Sequence, residues 1–169
     1  MRIRPLQAED KVLVHQILKE TKFFSEEEIT IALELIDDYL NNSHTTYRIF
    51  VMVDEVHNNH VTGYVCFGKS PLSWATYDLY WIAVSLSIQK KGSGKLLMKF
   101  AENEIKKEHG NQILVETASK SSYNPTRKFY ESLGYHVLTV IDDYYAPGDS
   151  KIIYEKKLGS YSKESLLEK

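Results

Sequence analysis

The sequence contains a single cysteine in 169 residues, which excludes the small proteins that depend on a framework of disulfide bonds. It has only four prolines and eight glycines, so a collagen-like or low-complexity chain is excluded as well. No apolar run approaches the ~20 residues of a membrane-spanning helix, and the opening MRIRP is too polar for a signal peptide. We therefore predict a cytoplasmic protein with no membrane partner.

An excess of charge of one sign is also missing. The 21 lysines and arginines are balanced by 23 acidic residues, which gives a net charge of −2. Proteins that bind nucleic acids usually show a strongly basic balance, so we predict no nucleic-acid partner. The remaining composition, 43% hydrophobic and 26% charged, is typical of a globular protein. We predict one domain over residues 1–158 and a polar tail over 159–169.

Hydrophobic periodicity predicts an alternation of strands and helices. Strands are predicted at 3–6, 46–53, 61–68, 76–85, 112–117, 135–141 and 151–157, and helices after Asp10, after Ser25, between Gly94 and Gly110, and over 126–133. Asp10 should cap the first helix, Ser25 should form a capping box with Glu28, and Gly110 should end the third helix in a left-handed conformation. The strands at 76–85 and 112–117 are apolar on both faces, which predicts parallel, doubly buried neighbours in a mixed α/β sheet.

The segment between the fourth strand and the third helix is rich in glycine and lysine. It comprises Gln89, Lys90, Lys91, Gly92, Ser93 and Gly94, and Lys95 follows it. Such a turn leaves the first backbone N–H groups of the helix unpaired, and glycines without a Cβ let a ligand approach them. Because the helix dipole and the lysines add positive charge, the pattern predicts a diphosphate site. A plain tight turn before a helix has the same spacing and remains the alternative.

Two common phosphate-binding loops do not fit this segment. A nucleoside-triphosphate loop requires a glycine at Gln89 and a serine or threonine at Leu96, and a dinucleotide fingerprint requires a third glycine at Leu97. The remaining pattern, Gln-x-x-Gly-x-Gly, follows a strand that ends in Ile-Ala-Val and is joined later by KFYESLGY at 128–135. This combination resembles the GNAT superfamily of acetyl-CoA-dependent N-acetyltransferases.

The resemblance extends over nearly the whole chain and implies a GNAT-like fold. This fold is a twisted, mostly antiparallel α/β sheet of six to seven strands, with a central splayed parallel pair and about four helices on both faces. The resemblance also implies acetyl-CoA as co-substrate, with no metal, and with the diphosphate on the glycine-rich turn. Further cofactor contacts are implied for the backbone of Ile82, Ala83 and Val84 and for Thr117, Asn124, Thr126 and Phe129. One departure is Tyr123, because most members have an asparagine at that position and here Asn124 follows it.

Acetyl transfer from a thioester to an amine requires a neutral amine and a proton for the departing thiolate. An amine like that of lysine has a pKa near ~10.4, so a base is expected. Some superfamily members carry a glutamate base where this chain has Asp78, and Glu116 is a second candidate; a purely structural carboxylate is the alternative for both. The resemblance implies Tyr130 as general acid, or as a ring that packs against the cofactor. The more apolar Phe129 is expected to anchor its helix.

We predict an N-acetyltransferase that moves the acetyl group of acetyl-CoA to a primary amine of a small molecule or peptide. A catalytically silent acyl-CoA-binding or sensing module is the alternative, since a fold does not guarantee its activity. Use of longer acyl chains or of an oxygen acceptor also remains open. The aromatic-rich end strands at 135–141 and 151–157 leave sheet edges that need cover, which predicts a homodimer.

Overall fold

The computed structural model describes residues 1–56, 60–89 and 91–159. Its strands are β1 (Arg2–Pro5), β2 (Tyr47–Asp54), β3 (His60–Lys69), β4 (Thr76–Val84), β5 (Gln112–Ala118), β6 (His136–Ala146) and β7 (Asp149–Lys157). Its helices are α1 (Asp10–Glu20), α2 (Glu26–Asn41), α3 (Ser93–Lys107) and α4 (Asn124–Ser132). Lys90, and all of the predicted polar tail except Gly159, lie outside the described residues.

The seven strands form one sheet in the order β1-β2-β3-β4-β5-β7-β6. Strands β1, β2 and β3 pair antiparallel in sequence, and β7 pairs antiparallel with both β5 and β6. Strands β4 and β5 are the parallel pair. The predicted fold class, a mixed and mostly antiparallel α/β sheet with four helices, is therefore confirmed. No helix of the described residues is long and apolar enough to cross a membrane.

The chain divides into two compact units, and β4 contributes residues to both. The first unit comprises Met1–Lys69 and Leu79–Asn103, and the second comprises Ser70–Asp78 and the chain from Glu104 onward. In the first unit, α1 and α2 pack with β2, β3 and the later part of β4 around one apolar core. The second unit contains β5, β6, β7 and α4 together with the first residues of β4.

The first two helices begin in different ways. At α2 the predicted capping box is confirmed, because the Ser25 hydroxyl accepts from the Glu28 N–H (3.1 Å) and the Glu28 carboxylate accepts from the Ser25 N–H (2.7 Å). The prediction that Asp10 caps α1 is wrong. Asp10 is the first helical residue, and its buried carboxylate accepts from Arg4 (2.6 and 2.9 Å) and from the Gln7 N–H (2.8 Å). It therefore ties α1 to β1.

The end of α3 also differs from the prediction. His109, not Gly110, adopts the left-handed conformation, with φ 62°. Gly110 is needed for space instead, because a Cβ there would lie 2.3 Å from the Ile105 side chain and 2.8 Å from the Tyr77 ring. The glycine thus lets the segment after α3 pack closely against β4.

The prediction that β4 and β5 are buried on both faces is wrong. In β4 the buried Tyr77 and Leu79 alternate with Asp78, which is only half-buried. In β5 the buried Val115 and Thr117 flank the exposed Glu116. A buried carboxylate without a partner is costly, and the faces that carry these two carboxylates accordingly stay partly open.

The hairpin of β6 and β7 is longer than predicted. The sequence predicts these two strands at 135–141 and 151–157, but β6 continues to Ala146 and β7 begins at Asp149. The remaining turn contains Gly148 in a left-handed conformation, with φ 81°, which lets the chain reverse within two residues. Strand β6 is at the end of the sheet, and all of its residues are exposed.

Candidate active site

The connection from β4 to α3 is held in place by hydrogen bonds within the first unit. The Ser85 N–H donates to the Thr62 carbonyl (2.8 Å), and the Ser85 hydroxyl donates to the Glu20 carboxylate (2.8 Å). Gln89 is exposed, and its side-chain amide donates to the Val84 carbonyl (3.3 Å). These bonds fix the direction in which the chain enters the glycine-rich turn.

The start of α3 has the geometry that an anion site requires. Gly92 adopts a left-handed conformation, with φ 83°, and a Cβ there would meet no atom within 4 Å. Its carbonyl accepts the first helical bond, from the Leu96 N–H (3.0 Å). The N–H groups of Ser93, Gly94 and Lys95 therefore precede the intrahelical bonds and are oriented out of the helix end. Together with the helix dipole, they can bind a phosphate group.

The lysines near this turn add charge to the same end of the helix. Lys91 and Lys95 are both exposed, and the Lys91 ammonium donates to the Ser87 carbonyl (3.0 Å). The local positive charge is consistent with a diphosphate ligand.

The end of β4 is packed closely against β3. A Cβ on Gly63 of β3 would lie 3.0 Å from the Ala83 carbonyl oxygen and 3.0 Å from a Val84 methyl group. Ala83 is buried, whereas Ile82 and Val84 are partly exposed. Gly63 thus lets β3 lie close to the end of β4, on one side of the three residues whose backbone is predicted to bind the pantetheine arm.

In the second unit, Asp78 is the better-placed candidate base. It is half-buried and accepts a hydrogen bond from the Ser70 hydroxyl (2.6 Å). Burial raises the pKa of Asp78 above its ordinary value, the Ser70 bond opposes this change, and the negative charge of Glu116 raises the pKa further. A carboxylate with a raised pKa is a stronger proton acceptor, which suits a general base.

Glu116, the second candidate, is already paired. It is exposed, and its carboxylate lies 2.7 Å from the Lys151 ammonium. The same ammonium lies 3.9 Å from the ring centre of Tyr144 and 5.9 Å from that of Tyr145. Lys151 therefore compensates the charge of Glu116 and is itself held by two aromatic rings. This pairing favours Asp78 over Glu116 as the base.

Tyr130, the candidate acid, is the buried residue of α4. Its side chain is 5% exposed, whereas Phe129 is only partly buried, so the expectation that Phe129 anchors the helix is wrong. The rings of Phe129, Tyr135 and Tyr154 surround it at centroid distances of 5.4, 5.8 and 6.2 Å. Burial raises the pKa of the Tyr130 phenol, which therefore stays protonated at neutral pH.

Thr117 carries a buried hydroxyl without a partner. Its side chain lies on the buried face of β5, and its Oγ1 and the Tyr64 hydroxyl are the two buried side-chain polar atoms of the described residues that lack a hydrogen-bond partner. An unsatisfied buried group costs about 1–3 kcal/mol. Because the Thr117 hydroxyl has no partner within the described residues, a bound ligand can supply one. This is consistent with the prediction that Thr117 contacts the cofactor.

Asn124 and Arg127 hold the connection between β5 and α4. The Asn124 side-chain oxygen accepts from the Arg127 guanidinium, which also donates to the carbonyls of Ala118 (2.5 Å) and Lys120 (3.2 Å). Thr126, another predicted cofactor contact, is partly exposed on the first turn of α4. The amide of Asn124, a predicted cofactor contact, is thus oriented by Arg127.

Two residues of this region are not predicted from the sequence. They are Ser70 and Lys151, and each contacts a residue of another element. The only local signal is the position of Lys151 directly before two isoleucines of β7, where a charged side chain on a strand needs a partner. Within the described residues, no group of three or more His, Cys, Asp or Glu side chains could hold a metal ion.

Comparison with known proteins gives a family match. A model of the acetyltransferase (GNAT) domain matches residues 45–137, which is more than half of the chain. A search of curated proteins finds no match. The matched segment contains the glycine-rich turn, Asp78, Glu116 and Tyr130.

Solved structures also resemble the chain. A GNAT-family protein from Desulfovibrio desulfuricans is 33% identical, with a TM-score of 0.87 over 94% of this chain and 99% of that one. An aminoglycoside 6'-N-acetyltransferase in complex with coenzyme A is 16% identical, with a TM-score of 0.74 over 96% and 100%. The aminoglycoside 6'-N-acetyltransferase from Enterococcus faecium is 18% identical, with a TM-score of 0.75 over 96% and 100%. The last two share the fold only.

Proposed function

The chain belongs to the GNAT acetyltransferase family, and from this premise we propose that it transfers the acetyl group of acetyl-CoA to a primary amine of a small molecule or peptide. The observation that carries the proposal is the turn at the start of α3, with its left-handed Gly92 and three N–H groups that precede the helical bonds. Acetyl-CoA, when bound, supplies an acetyl thioester. The turn would hold its diphosphate, and the backbone of Ile82, Ala83 and Val84 would hold its pantetheine arm.

Two side chains of the second unit would move protons. Asp78 takes a proton from the acceptor ammonium, directly or through water, because its raised pKa makes it a stronger base than an ordinary aspartate. Tyr130 gives a proton to the departing thiolate, because its phenol is protonated at neutral pH. The amine attacks the thioester carbonyl directly in a ternary complex, and the C–S bond breaks. The second proton of the amine nitrogen returns to the Tyr130 phenolate by way of water, and Asp78 releases its proton to solvent, so no residue of the chain becomes acetylated. Thr117 and Asn124 complete the proposed cofactor contacts.

A screen of acceptors tests this function. The chain is incubated with acetyl-CoA and a panel of amines, polyamines and peptides, and free CoA and the masses of the products are measured together. We expect one acetylated product for each CoA released. Acetyl-CoA that binds tightly but turns over with no amine would instead support the silent acyl-CoA-binding module. A parallel panel of longer acyl-CoAs and of hydroxyl acceptors tests the two remaining alternatives.

Three further proposals concern the whole protein. Residues 1–158 are proposed as one acetyltransferase domain, and the cytoplasm is proposed as its location on the sequence alone. Two copies are proposed to associate, because the described strands leave β6 at an exposed edge of the sheet.

Replacement of Gly94 with valine should weaken the binding of acetyl-CoA by about 10- to 100-fold. The branched side chain would stand where the phosphates approach, and loss of one charge-assisted hydrogen bond is worth about 1.5–3 kcal/mol. Isothermal titration calorimetry measures the change directly.

Lys99→Val is the matched control for Gly94→Val. Lys99 is exposed in the same helix, so Lys99→Val also places a β-branched side chain in α3, but away from its first turn. We expect this variant to bind acetyl-CoA like the parent. If Gly94→Val is folded by circular dichroism and also binds like the parent, the diphosphate site lies elsewhere.

A further inference from the structure

The end of α1 and the segment after it contact β4 on both sides of residues 82–84, whose backbone is proposed to hold the pantetheine arm. Before these three residues, the Trp81 ring packs edge-on against the Phe24 ring, at a centroid distance of 5.3 Å. After them, the Ser85 hydroxyl donates to the Glu20 carboxylate (2.8 Å). All of these residues belong to the first unit. Two separate contacts therefore fix this short piece of β4.

The position of Glu20 is unfavourable for the stability of its own helix. It is the last residue of α1, where the partial negative charge of the helix end disfavours a carboxylate. Its side chain is partly buried, and one carboxylate oxygen accepts from both the Ser85 hydroxyl and the Leu86 N–H (3.4 Å). Helix stability thus does not account for a glutamate here, whereas contact with the end of β4 does.

A series of hydrogen bonds continues from Ser85 to the glycine-rich turn. The Ser85 carbonyl accepts from the Ile88 N–H (3.1 Å), and the Ile88 carbonyl accepts from the Lys91 N–H (3.4 Å). Ile88 is buried, which holds the middle of this segment in place. Gly92 and the first N–H groups of α3 follow directly. The Glu20 carboxylate therefore fixes one end of the segment that joins the proposed pantetheine-binding backbone to the proposed diphosphate turn.

We propose that Glu20 is a positioning residue for acetyl-CoA, a role that rests on the function proposed above. It acts through Ser85 and not by contact with the cofactor. By holding Ser85, it sets the distance and angle between the backbone of residues 82–84 and the N–H groups of residues 93–95. When both parts of the site are aligned, the arm and the diphosphate of one molecule bind together, and the second contact forms at a high effective concentration. Loss of the alignment removes this advantage without removing either contact.

Glu20→Ala tests this role by a comparison of two ligands. One is acetyl-CoA, and the other is 3′-phosphoadenosine 5′-diphosphate, which contains the phosphates of CoA but lacks the pantetheine arm. By isothermal titration calorimetry, we expect Glu20→Ala to bind acetyl-CoA about 10-fold more weakly than the parent, which corresponds to loss of one hydrogen bond to a charged group. The nucleotide should bind within about twofold of the parent, because it contacts only one part of the site. Gly94→Val should weaken the binding of both ligands.

Glu20→Gln and Gln16→Ala are the matched controls. The glutamine amide oxygen can still accept from Ser85 and Leu86, so we expect Glu20→Gln to bind acetyl-CoA within about threefold of the parent. Gln16 is exposed one turn earlier on the same face of α1, and its truncation should leave both affinities unchanged. The unfolding midpoint of Glu20→Ala should stay within about 4 °C of the parent, because relief of the unfavourable charge at the helix end opposes the loss of hydrogen bonds.

Ser85→Ala completes a double-mutant cycle with Glu20→Ala. Because both residues act through one hydrogen bond, the double variant should bind acetyl-CoA about 10-fold more weakly than the parent, as each single variant does, and not about 100-fold. The proposal is overturned if Glu20→Ala binds acetyl-CoA like the parent, if the two substitutions are additive, or if both ligands lose affinity equally. A parent that binds acetyl-CoA but acetylates no amine contradicts the proposed function alone, and the affinities still decide the role of Glu20. A parent that binds no acetyl-CoA contradicts both.

Discussion

Tyr130→Phe is expected to lower kcat by about 10²-fold or more while the affinity for acetyl-CoA stays nearly unchanged. A positioned general acid is typically worth ~10²–10⁴-fold. The lower end is appropriate here, because a thiol has a pKa near ~8.5 and its thiolate is a tolerable leaving group. The ring stays in place in the variant, so its packing against Phe129, Tyr135 and Tyr154 is kept. Steady-state kinetics at saturating amine and calorimetry with acetyl-CoA measure the two quantities separately.

Tyr135→Phe is the matched control for this variant. Tyr135 is 3% exposed, and its ring lies 5.8 Å from that of Tyr130, so the change removes a hydroxyl from the same aromatic cluster. We expect kcat to stay within about twofold of the parent, because this hydroxyl has no part in the proposed proton transfer. If Tyr130→Phe retains the full kcat, the Tyr130 ring is structural and the thiolate leaves unaided or by way of water.

Asp78→Asn is the second variant for which a large loss is expected, about 10²–10⁴-fold in kcat/KM at neutral pH. Asparagine has nearly the same shape and can still accept the hydrogen bond of Ser70, but it cannot take a proton. Glu116→Gln should lower kcat/KM much less, because the charge of Glu116 is already compensated by Lys151. A Glu116→Gln loss as large as that of Asp78→Asn would show that the base has been assigned to the wrong carboxylate.

The pH dependence separates a base from a structural carboxylate. In the parent, kcat/KM should fall as the pH falls through the pKa of Asp78, because the protonated carboxyl cannot accept a proton. Since burial raises that pKa, the loss should begin at a higher pH than an ordinary aspartate, with a pKa of ~3.9, would give. In Glu116→Gln the loss should begin at a lower pH, because the negative charge that raises the pKa of Asp78 is removed.

The loss of kcat/KM caused by Asp78→Asn should become smaller at high pH. As the pH approaches the ~10.4 of a lysine-like amine, the acceptor loses its proton without help and the base becomes dispensable. The ratio of parent to variant kcat/KM, measured from pH 6 to pH 10, should therefore decrease with rising pH. A ratio that stays constant over this range would mean that Asp78 supports the structure and does not take the proton.

Local patterns in the sequence were sufficient to predict the architecture. The capping box of Ser25 and Glu28, the glycine-rich turn before α3 and the β4-α3-β5 order all depend on residues that are close in the chain. Such features are readable because the geometry of a helix start or a tight turn is set by a few neighbouring residues. The family motif is local for the same reason, and its match covers residues 45–137.

Only the tertiary structure distinguished between residues that the sequence treats as equal. Asp78 and Glu116 are both carboxylates in parallel strands, but Ser70 and burial act on the first whereas Lys151 pairs with the second. Likewise Tyr130, and not the more apolar Phe129, is the buried residue of α4. Burial and ion pairing depend on side chains that come together from distant parts of the chain. Periodicity along one strand or helix therefore indicates which residues share a face, but not how that face is covered or which charges on it are compensated.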